Sequence, residues 1–412
     1  MASDLPRGWS SGSLESLTEA IIDYRGKTPT KTTSGVPLIT AKIIKNGRID
    51  EPTEFIAEGE YVSWMRRGLP EAGDVLVTTE APLGEVAQLG PTRVALAQRV
   101  ILLRGKKSAL DNTFLRFALQ SSEVQDQLRA RSSGTTVSGI RQRELRKVML
   151  LKPPIWEQRR IGTVLGALDD KIELNRRMNR TLEAMAQALF KSWFIDFDGH
   201  DDLVDSELGP IPREWRVLPL DEIAAFLNGA ACQKYPSEPG QPSLAVIKIR
   251  ELNQGVTAQT DRATADIPDK WLVRDGDVLF SWSGSLVLKV WTGGLGALNQ
   301  HLFKITSKSY PRWFYLLWTR HHLAEFQRIA ADKATTMGHI QRHHLSAARC
   351  VVPHAVLMER TGALLGPIVD RQVTNDLQSS ALAAIRDALL PKLISGEIRV
   401  PEAEALIEEA VA

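Results

Sequence analysis

Residues 157–192 read EQRRIGTVLGALDDKIELNRRMNRTLEAMAQALFKS, and this stretch decides the fold of the chain. Mostly apolar residues recur in it at alternating spacings of four and three, the pattern of a helix packed along one narrow seam. The seam positions are Ile161, Leu165, Leu168, Ile172, Asn175, Leu182 and Leu189. A helix of about 36 residues rises about 54 Å, which is longer than an ordinary globular helix and indicates a spacer.

A second helix with the same pattern is predicted over residues 357–390, ending before Pro391. Its seam positions are Leu365, Ile368, Asn375, Leu382 and Leu389. Asn175 and Asn375 stand at equivalent seam positions, where a buried polar residue fixes the helix register at some cost in stability. We expect the two helices to pack on each other. The alternative, that each helix covers only its own domain, is disfavoured because the seam is so long and narrow.

The second helix is part of a tandem repeat that covers the chain. The segment LPRGW at residues 5–9 recurs as IPREW at residues 211–215, and GDVL at residues 73–76 recurs at residues 276–279. Further identities recur 200 residues later over a stretch of about 55 residues, which is too regular for chance. Each half is therefore one folding unit of about 200 residues, the size of a large domain.

Each half begins with short runs of β-branched and aromatic residues separated by turn residues, which is typical of a strand-rich domain. One helix is predicted to interrupt the strands of each half, over residues 112–128 in the first and 311–329 in the second. A pair of prolines at residues 153–154 then precedes the first long helix. The fold class is α+β, a tandem pseudo-two-fold repeat of two strand-rich domains with two long helices.

Composition excludes several classes of protein. The chain has 412 residues, of which 43% are apolar and 24% are charged, as in a folded globular protein. No apolar run reaches the ~18 residues of a membrane helix, and the first residues do not form a signal peptide. We therefore expect a cytoplasmic protein without a membrane partner. Cys232 and Cys350 are the only cysteines, too few for a disulfide scaffold or a four-cysteine zinc site.

Charge is unevenly distributed, although the net charge is only +2. Basic residues concentrate between residues 127 and 150, and acidic residues between 194 and 208. The acidic segment has the composition of a solvated linker, and its spacing misses the calcium-loop pattern. The tail from Pro401 is also acidic and predicts a short, exposed helix.

The sequence lacks the motifs of catalytic and cofactor sites. It contains no glycine-rich phosphate loop with its lysine, no paired-histidine zinc motif and no Gly-x-Ser-x-Gly elbow. Residues 152–155, Lys-Pro-Pro-Ile, lack both ends of the motif that adenine methyltransferases carry. We therefore predict no catalytic residues, no metal and no cofactor in this chain. The second half carries histidines without counterparts in the first, expected in surface or groove contacts: His321, His322, His339, His343 and His344.

Several motifs occur in a fixed order along the first half. They are SGTTVSGI at residues 133–140, EQRRI at 157–161, LDDKIELN at 168–175 and ALFKSWF at 188–194. Together with the GDVL strands they make the chain resemble the specificity subunit of Type I restriction-modification systems. In that family, two target-recognition domains each read one half of a split, asymmetric DNA site. The two helices form an antiparallel coiled-coil spacer that docks methyltransferase subunits.

The resemblance implies partners and domain boundaries. The partners are double-stranded DNA, two methyltransferase subunits that carry S-adenosylmethionine, and restriction subunits where the system has them. The expected boundaries are residues 1–152 for the first target-recognition domain, 153–195 for the first spacer helix, 196–210 for the acidic linker, 211–352 for the second target-recognition domain, 353–397 for the second spacer helix and 398–412 for the acidic tail. The second copy departs from the family motifs at residues 334–340 and 354–360.

Corresponding loops of the two halves differ in chemistry. Residues 78–84 read TTEAPLG and residues 281–287 read SWSGSLV, so the loops are free to read different base edges. Residues 132–139 either hold a DNA phosphate with the help of Arg141 and Arg143 or form only a helix cap and turn. The candidate DNA contacts are Thr79, Glu80, Lys106, Lys107, Arg129, Arg131, Ser133, Thr135, Thr136, Ser138, Arg141, Arg143, Ser283, Ser285, Lys333, Thr335, Thr336, His339, Gln341 and Arg342.

The roles of two further glutamines and of four basic candidates remain open. Gln98 and Gln300 occupy matching places in the segments AQR and NQH, and each is either a groove-facing reader or a satisfied core amide. The four basic candidates at residues 106, 107, 129 and 131 either contact DNA or form a solvated face. A different class of function also stays open, a coiled-coil adaptor that binds only proteins.

Overall fold

The structure is a computed structural model, and it describes residues 5–24, 28–134, 137–332 and 338–411. The chain forms two compact units. The first comprises Met1–Lys171 with Leu382–Ala412, and the second comprises Ile172–Ala381. Each unit therefore combines one strand-rich domain with a part of each long helix.

The first copy has short strands and short helices before one long helix. Its strands are β1 (Ser10–Ser13), β2 (Thr18–Asp23), β3 (Val36–Ile39), β4 (Ile44–Lys45), β5 (Arg48–Ile49), β6 (Phe55–Ile56), β7 (Val75–Thr79), β8 (Leu83–Gln88), β9 (Ala95–Leu96), β10 (Val100–Gly105) and β11 (Met149–Lys152). Its helices are α1 (Leu14–Leu17), α2 (Tyr61–Trp64), α3 (Asn112–Gln120), α4 (Ser122–Ala130), α5 (Gln142–Leu145) and α6 (Ile155–Phe194).

The second copy follows the same order and ends with an additional helix. Its strands are β12 (Leu203–Val204), β13 (Ile211–Pro212), β14 (Arg216–Pro219), β15 (Ala225–Asn228), β16 (Ser243–Ile247), β17 (Arg262–Thr264), β18 (Leu272–Val273), β19 (Val278–Ser281), β20 (Leu288–Val290), β21 (Gly296–Leu298), β22 (Leu302–Thr306) and β23 (Arg349–Val352). Its helices are α7 (Leu220–Ile223), α8 (Ile249–Gln254), α9 (Arg312–Asp332), α10 (Arg342–Ala347), α11 (Ala355–Ser395) and α12 (Val400–Val411).

The sheet topology repeats between the copies. The main antiparallel sheet has the order β2-β10-β7-β8 in the first copy and β15-β22-β19-β20 in the second. A smaller sheet in each copy contains one parallel pair, β3 with β9 and β16 with β21. An early strand of each copy pairs with the strand that precedes its long helix, β1 with β11 and β14 with β23. The shared topology confirms the tandem repeat.

Buried β-branched and aliphatic residues hold the main sheet of the first copy. Val75, Leu76 and Val77 on β7 are fully buried, since β7 is a central strand with a neighbour on each side. Helix α3 packs on this sheet and buries Phe114 and Phe117. Burial on both faces explains why β7 reads as a continuous apolar run rather than as an alternating one.

The helix predicted over residues 112–128 is two helices in the structure. Ser121 separates α3 from α4, and its extended backbone, with ψ 151°, ends the first helix. Its hydroxyl donates to the Ala118 carbonyl at 2.9 Å and caps the backbone N–H of Val124. A serine at this position therefore terminates one helix and starts the next. In the second copy α9 runs without a break from Arg312 to Asp332.

The long helices are longer than the sequence predicts. Helix α6 has 40 residues and α11 has 41, and α11 continues through Pro391 instead of stopping before it. A proline inside a helix costs about 3 kcal/mol because it lacks an N–H group and clashes with the preceding turn. Leu389, Leu393 and Ile394 around this proline are buried, and their burial offsets that cost.

The seam of the first unit is buried as predicted. Ile161, Leu165 and Leu168 on α6 are at most 5% exposed, and Leu382 and Leu389 on α11 are buried as well. An ion pair of 2.6 Å joins Arg386 of α11 to Asp169 of α6. Arg116 of α3 reaches the same carboxylate at 3.0 Å, so the strand-rich domain is tied to the helix pair.

A layer of amides occupies the seam of the second unit. The Asn175 side chain donates to Gln378 Oε1 at 3.0 Å, and the Asn375 side chain donates to Asn179 Oδ1 at 2.8 Å. Asn179 in turn donates to Asp376 at 2.8 Å, which fixes α6 and α11 as antiparallel. The amide oxygens of Asn175 and Asn375 are buried without a hydrogen bond from any described residue. This polar layer therefore specifies the register at a cost in stability.

The other seam positions of the second unit complete the pattern. Ile172 and Leu365 are buried, and Leu189 and Ile368 pack against the aromatic core of this unit. Leu182 is half-buried. The core of the second unit includes Phe190, Phe194, Trp215, Trp313, Phe314 and Trp318.

The acidic linker and the acidic tail are both more structured than their composition predicts. Strand β12 within the linker pairs with β13, and Asp202 receives a 2.7 Å hydrogen bond from Arg213 that lowers the pKa of its carboxyl. In the tail, α12 buries Val400 and Ala403, so only part of this helix is exposed. Local ion pairing and packing in each case order a segment whose net charge favours solvation.

Glu157, the first residue of the EQRRI motif, has a structural role. This carboxylate on α6 is 3% exposed, and it accepts hydrogen bonds from Trp9 Nε1 at 3.1 Å and from Arg399 at 2.7 Å. Trp9 precedes β1 and Arg399 precedes α12, so one side chain fastens segments from both ends of the chain to the first long helix.

Glu157→Gln is expected to lower the free energy of unfolding by about 2 kcal/mol, because a charge-assisted hydrogen bond becomes a neutral one. Thermal melting of the full chain measures this. Glu173→Gln is the matched control on α6, since Glu173 forms an i,i+4 pair of 3.1 Å with Arg177 at the helix surface. Such pairs contribute less than ~0.5 kcal/mol. Equal melting temperatures for the two variants would contradict the role given to Glu157.

Candidate nucleic-acid interface

A polar cleft of about 390 Å³ opens in the first unit, where three segments of the chain meet. The segments are the end of β7, the residues before β10 and the loop that follows α4. The cleft is lined by Thr79, Glu80, Gln98, Arg99, Ser133, Gly139, Ile140 and Arg141. Its walls therefore carry cationic, anionic and neutral hydrogen-bonding groups, the set that reads base edges and phosphates.

Backbone hydrogen bonds hold the cleft in shape. The Ile140 N–H donates to the Thr79 carbonyl at 2.9 Å, and Ser133 and Gly139 exchange two hydrogen bonds of 2.9 and 3.0 Å. The second pair ties the chain at Ser133 to the chain at Gly139. Gly134 has a φ of +124°, and a Cβ there would lie 2.2 Å from the Val137 carbonyl oxygen, so only glycine fits.

The second unit contains the same backbone frame. The Ile340 N–H donates to the Trp282 carbonyl at 3.0 Å, as Ile140 does to Thr79. Ser283 forms an isolated bridge with His339, as Glu80 does with Gly139. The two copies thus build one site architecture twice, at positions 200 to 203 residues apart.

The side chains inside the two frames differ. Arg99 Nε lies 2.8 Å from Glu80 Oε1 in the first unit. In the second unit the equivalent pair is His301 and Ser283, with the imidazole Nδ1 3.1 Å from the hydroxyl. Trp282, which replaces a threonine, donates to Asn228 Oδ1 at 3.1 Å and presents an aromatic face. The first site holds an ion pair, whereas the second combines aromatic rings with a hydroxyl group.

Several predicted DNA contacts are brought together at the first cleft. Glu80, Ser133 and Arg141 line it, and Thr79 lies buried at its base. Gln98 also lines it, is half-buried and donates to Thr28 at 3.2 Å, so it is not a core amide. Two exposed candidates flank the cleft residues in sequence, Ser138 and Arg143.

The second site gathers its own predicted residues. His339 lies edge-on to Trp282, with ring centroids 6.3 Å apart, and Ser283 is buried beside them. Arg342 lies over the ring of Phe303 at 5.9 Å. The remaining candidates here, Gln341 and Ser285, are exposed.

Other predicted contacts lie elsewhere. Lys106 and Lys107 follow β10 whereas Arg99 precedes it, so about 20 Å of strand separates them from the cleft at ~3.3 Å per residue. The Lys106 ammonium donates to the Ser16 carbonyl at 2.6 Å. Arg129 pairs with Asp126 at 2.6 Å on the surface of α4, and Arg131 caps the end of that helix. These basic residues do not share one site with the cleft.

Some predicted contacts fall outside the described residues. They are Thr135, Thr136, Lys333, Thr335 and Thr336.

Arg99 and His301 were missed as site residues by the sequence analysis. The repeat of AQR as NQH contains both and was visible in the sequence. The repeat shows that Arg99 and His301 occupy equivalent positions in the two copies. It does not show that Arg99 lies opposite the loop after β7, or His301 opposite the loop after β19. Only the pairing of β10 with β7, and of β22 with β19, places them there.

His322 departs from the expected surface or groove role. Its ring stacks on Trp318 at 5.9 Å between centroids, and Nε2 lies 2.9 Å from the Arg349 carbonyl. Burial lowers the pKa of His322 to about 4, so the ring is neutral near pH 7 and donates to that carbonyl. Burial also raises the pKa of the Cys350 thiol, which is therefore a packed core group rather than a nucleophile.

Within the described residues, no group of three or more histidine, cysteine, aspartate or glutamate side chains could hold a metal ion. None of the helices in the described part of the chain is long and apolar enough to cross a membrane.

Fold and site together define a class of protein with two related but unequal recognition domains that share a pair of long helices. Comparison with known proteins agrees with this class. The family model described as "Type I restriction modification DNA specificity domain" matches residues 6–184. The MjaIX specificity subunit of a Type I restriction enzyme from Methanocaldococcus jannaschii is 26% identical over 97% of this chain and 95% of its own length.

Two further relatives extend the comparison. The HindI specificity subunit from Haemophilus influenzae is 23% identical and covers 69% of this chain and 77% of itself. The crystal structure of a Type I restriction-modification S subunit from M. genitalium superimposes with a TM-score of 0.57 at 13% identity, covering 96% of this chain and 97% of that one. This chain is therefore similar to the specificity subunits of Type I restriction-modification systems along nearly its whole length. The similarity supports a role in DNA sequence recognition within such a system.

Proposed function

We propose that the chain reads a bipartite, asymmetric DNA site, with one half-site for each recognition domain. The observation that supports this is the doubled site, in which identical backbone frames hold Arg99 with Glu80 in one copy and His301 with Ser283 in the other. Because the two copies share this backbone frame, each site can contact the equivalent part of its own half-site. Side chains that differ favour different bases, which makes the two half-sites unequal.

In this proposal the loop 133–139 and its flanking arginines contact the DNA backbone. Loops closed by paired backbone hydrogen bonds can present their N–H groups and hydroxyls to a phosphate. Arg141 and Arg143 supply positive charge directly after the loop, and both are exposed. The net charge of the chain is only +2, so we expect weak DNA binding by the chain alone and tighter binding with a basic partner.

We further propose that α6 and α11 form the spacer that docks two methyltransferase subunits, with restriction subunits joining in a complete system. Apolar residues exposed on these helices support this, among them Leu174 and Met185 on α6 and Leu364 on α11. Exposed apolar side chains on helices that are already paired by a buried seam suit contact with a further protein. S-adenosylmethionine would bind to the methyltransferase subunit. The boundaries proposed from the sequence assign residues 1–152 and 211–352 to recognition.

Methylome sequencing of cells that express this chain with its methyltransferase subunit tests the proposal. The expected result is methylated adenine in a motif of two short, unequal blocks separated by a gap of constant length. A constant gap is expected because, in this proposal, the spacer formed by α6 and α11 sets the separation of the half-sites. Methylation at one uninterrupted block would contradict a bipartite site. Absence of any DNA shift by the complex in low salt would favour the adaptor that binds only proteins.

A further inference from the structure

We propose that Arg99 determines base preference in the first half-site by donating to guanine, and that Glu80 orients it for this contact. The proposal rests on the function proposed above and names the residue that reads a base. Arg99 is not part of any family motif quoted from the sequence, and the structure alone places it in the cleft beside Glu80.

The ion pair between these residues is not needed to hold the fold. The side chains of Arg99 and Glu80 are 51% and 41% exposed, and pairs with such exposure contribute between zero and ~1 kcal/mol. Both residues instead restrict one another's rotamers at the mouth of a polar cleft. A guanidinium that is already ordered loses less entropy when it binds a ligand, so the pair preorganises a recognition group.

The chemistry of the guanidinium selects guanine. The contact with Glu80 uses Nε, which leaves the Nη1–Nη2 edge to donate in parallel to O6 and N7 of guanine in the major groove. Other bases do not present two acceptors at that spacing. Glu80 therefore acts as a positioning residue, and Arg99 as the residue that touches the base.

The position of Arg99 in the fold supports a role in specificity rather than in general DNA affinity. The Thr79 N–H donates to the Arg99 carbonyl at 2.9 Å, and the Trp282 N–H donates to the His301 carbonyl at 3.3 Å. The two side chains thus start from the same place in the two copies. If this position contacted a phosphate, we would expect the same cation in both copies, because phosphates do not differ between half-sites. The change from arginine to histidine instead indicates a position that varies with the base it reads.

Competition binding with the complex of the full chain and its methyltransferase subunit tests this assignment. The probes are duplexes that carry the mapped site, each with one base pair changed. For Arg99→Ala we expect affinity for the native site to fall between about 5-fold and 150-fold, the equivalent of ~1–3 kcal/mol. Preference for guanine at one position of the first half-site should disappear, while discrimination in the second half-site stays unchanged.

Matched variants separate base reading from charge. Arg99→Lys keeps the charge but replaces the planar, preorganised fork with a point charge on a flexible stem, so it should restore affinity more fully than it restores the guanine preference. Arg93→Ala removes an arginine from another exposed ion pair of the same unit, 2.9 Å from Glu58, and should change neither quantity. Arg99→His combined with Glu80→Ser transfers the pair of the second copy and should give a new preference at that same position.

The outcomes distinguish the two proposals. An equal loss for Arg99→Ala on every duplex would make Arg99 a phosphate contact, and an unchanged affinity would remove it from the interface. Either result overturns this inference and leaves the bipartite site intact. If the wild-type complex does not discriminate among the duplexes at all, the proposed function fails and this inference fails with it.

Discussion

Leu165→Asp is expected to break the pairing of α6 with α11 in the first unit and to abolish co-purification with the methyltransferase subunit. Leu165 is fully buried in the seam between Ile161 and Leu168. The arginines one helical turn away, Arg386 and Arg116, already pair with Asp169, so an aspartate among the seam leucines and isoleucines is left uncompensated. An unpaired buried charge costs about 3–5 kcal/mol. That is a large fraction of the 5–15 kcal/mol that stabilises a typical domain.

Leu174→Asp is the matched control for this prediction. Leu174 lies on the same helix, but it is 51% exposed, so the same substitution does not disturb the buried seam between α6 and α11. Circular dichroism and thermal melting should show a loss only for Leu165→Asp. Co-purification separates two effects, because Leu174→Asp should weaken methyltransferase docking without destabilising the chain if exposed apolar residues form the docking face. Wild-type melting and docking for Leu165→Asp would show that the seam is assigned wrongly.

The long helices could be predicted from sequence because their signal is both local and long. Leu165, Leu168 and Asn175 belong to one periodic pattern, and a pattern of this length has few other interpretations. The end of the second helix could not be predicted in the same way. Pro391 is a local stop signal, but the burial of Leu389 and Leu393 overrides it.

The candidate site was predicted only in part, because it is built from distant segments. Glu80 and Arg141 were found through differences between loops and through a family motif. Arg99 was not, since its proximity to Glu80 depends on strand register. Val100 pairs with Thr78 across the sheet, which places the residue before β10 opposite the residues after β7. Register is set by the burial of whole strand faces and is not written in any short motif.

Lys106 and Lys107 show that charge and nearness in sequence do not place a residue in the cleft. Their charge and their nearness to the same strand made them candidates, yet they lie at the far end of β10 from the cleft. Each residue of an extended strand advances the chain by ~3.3 Å. Arg99 and Lys106 are only seven positions apart in sequence, but they therefore lie at opposite ends of β10. Composition finds charged residues, but strand direction decides which of them can meet at one site.

A fragment of residues 1–198 is expected to form a homodimer that recognises an inverted repeat of the first half-site. It keeps the first recognition domain and all of α6, but it loses Leu382 and Leu389, which bury the seam in the full chain. A second copy of α6 can replace α11 because both helices carry the same seam, with asparagines at equivalent positions. Antiparallel pairing of two identical helices creates a two-fold axis and a closed dimer.

Light scattering measures the mass of the fragment, and methylation mapping of its complex with the methyltransferase subunit measures the site. The site should contain two copies of the first half-site, because the domain that supplies the second half-site is absent. Leu165→Asp in the fragment is the control and should give a monomer, since the dimer has no other seam to bury. A wild-type fragment that stays monomeric with full helix content would contradict the equivalence of the two helices. A dimer that still methylates the original asymmetric site would contradict the assignment of one half-site to each domain.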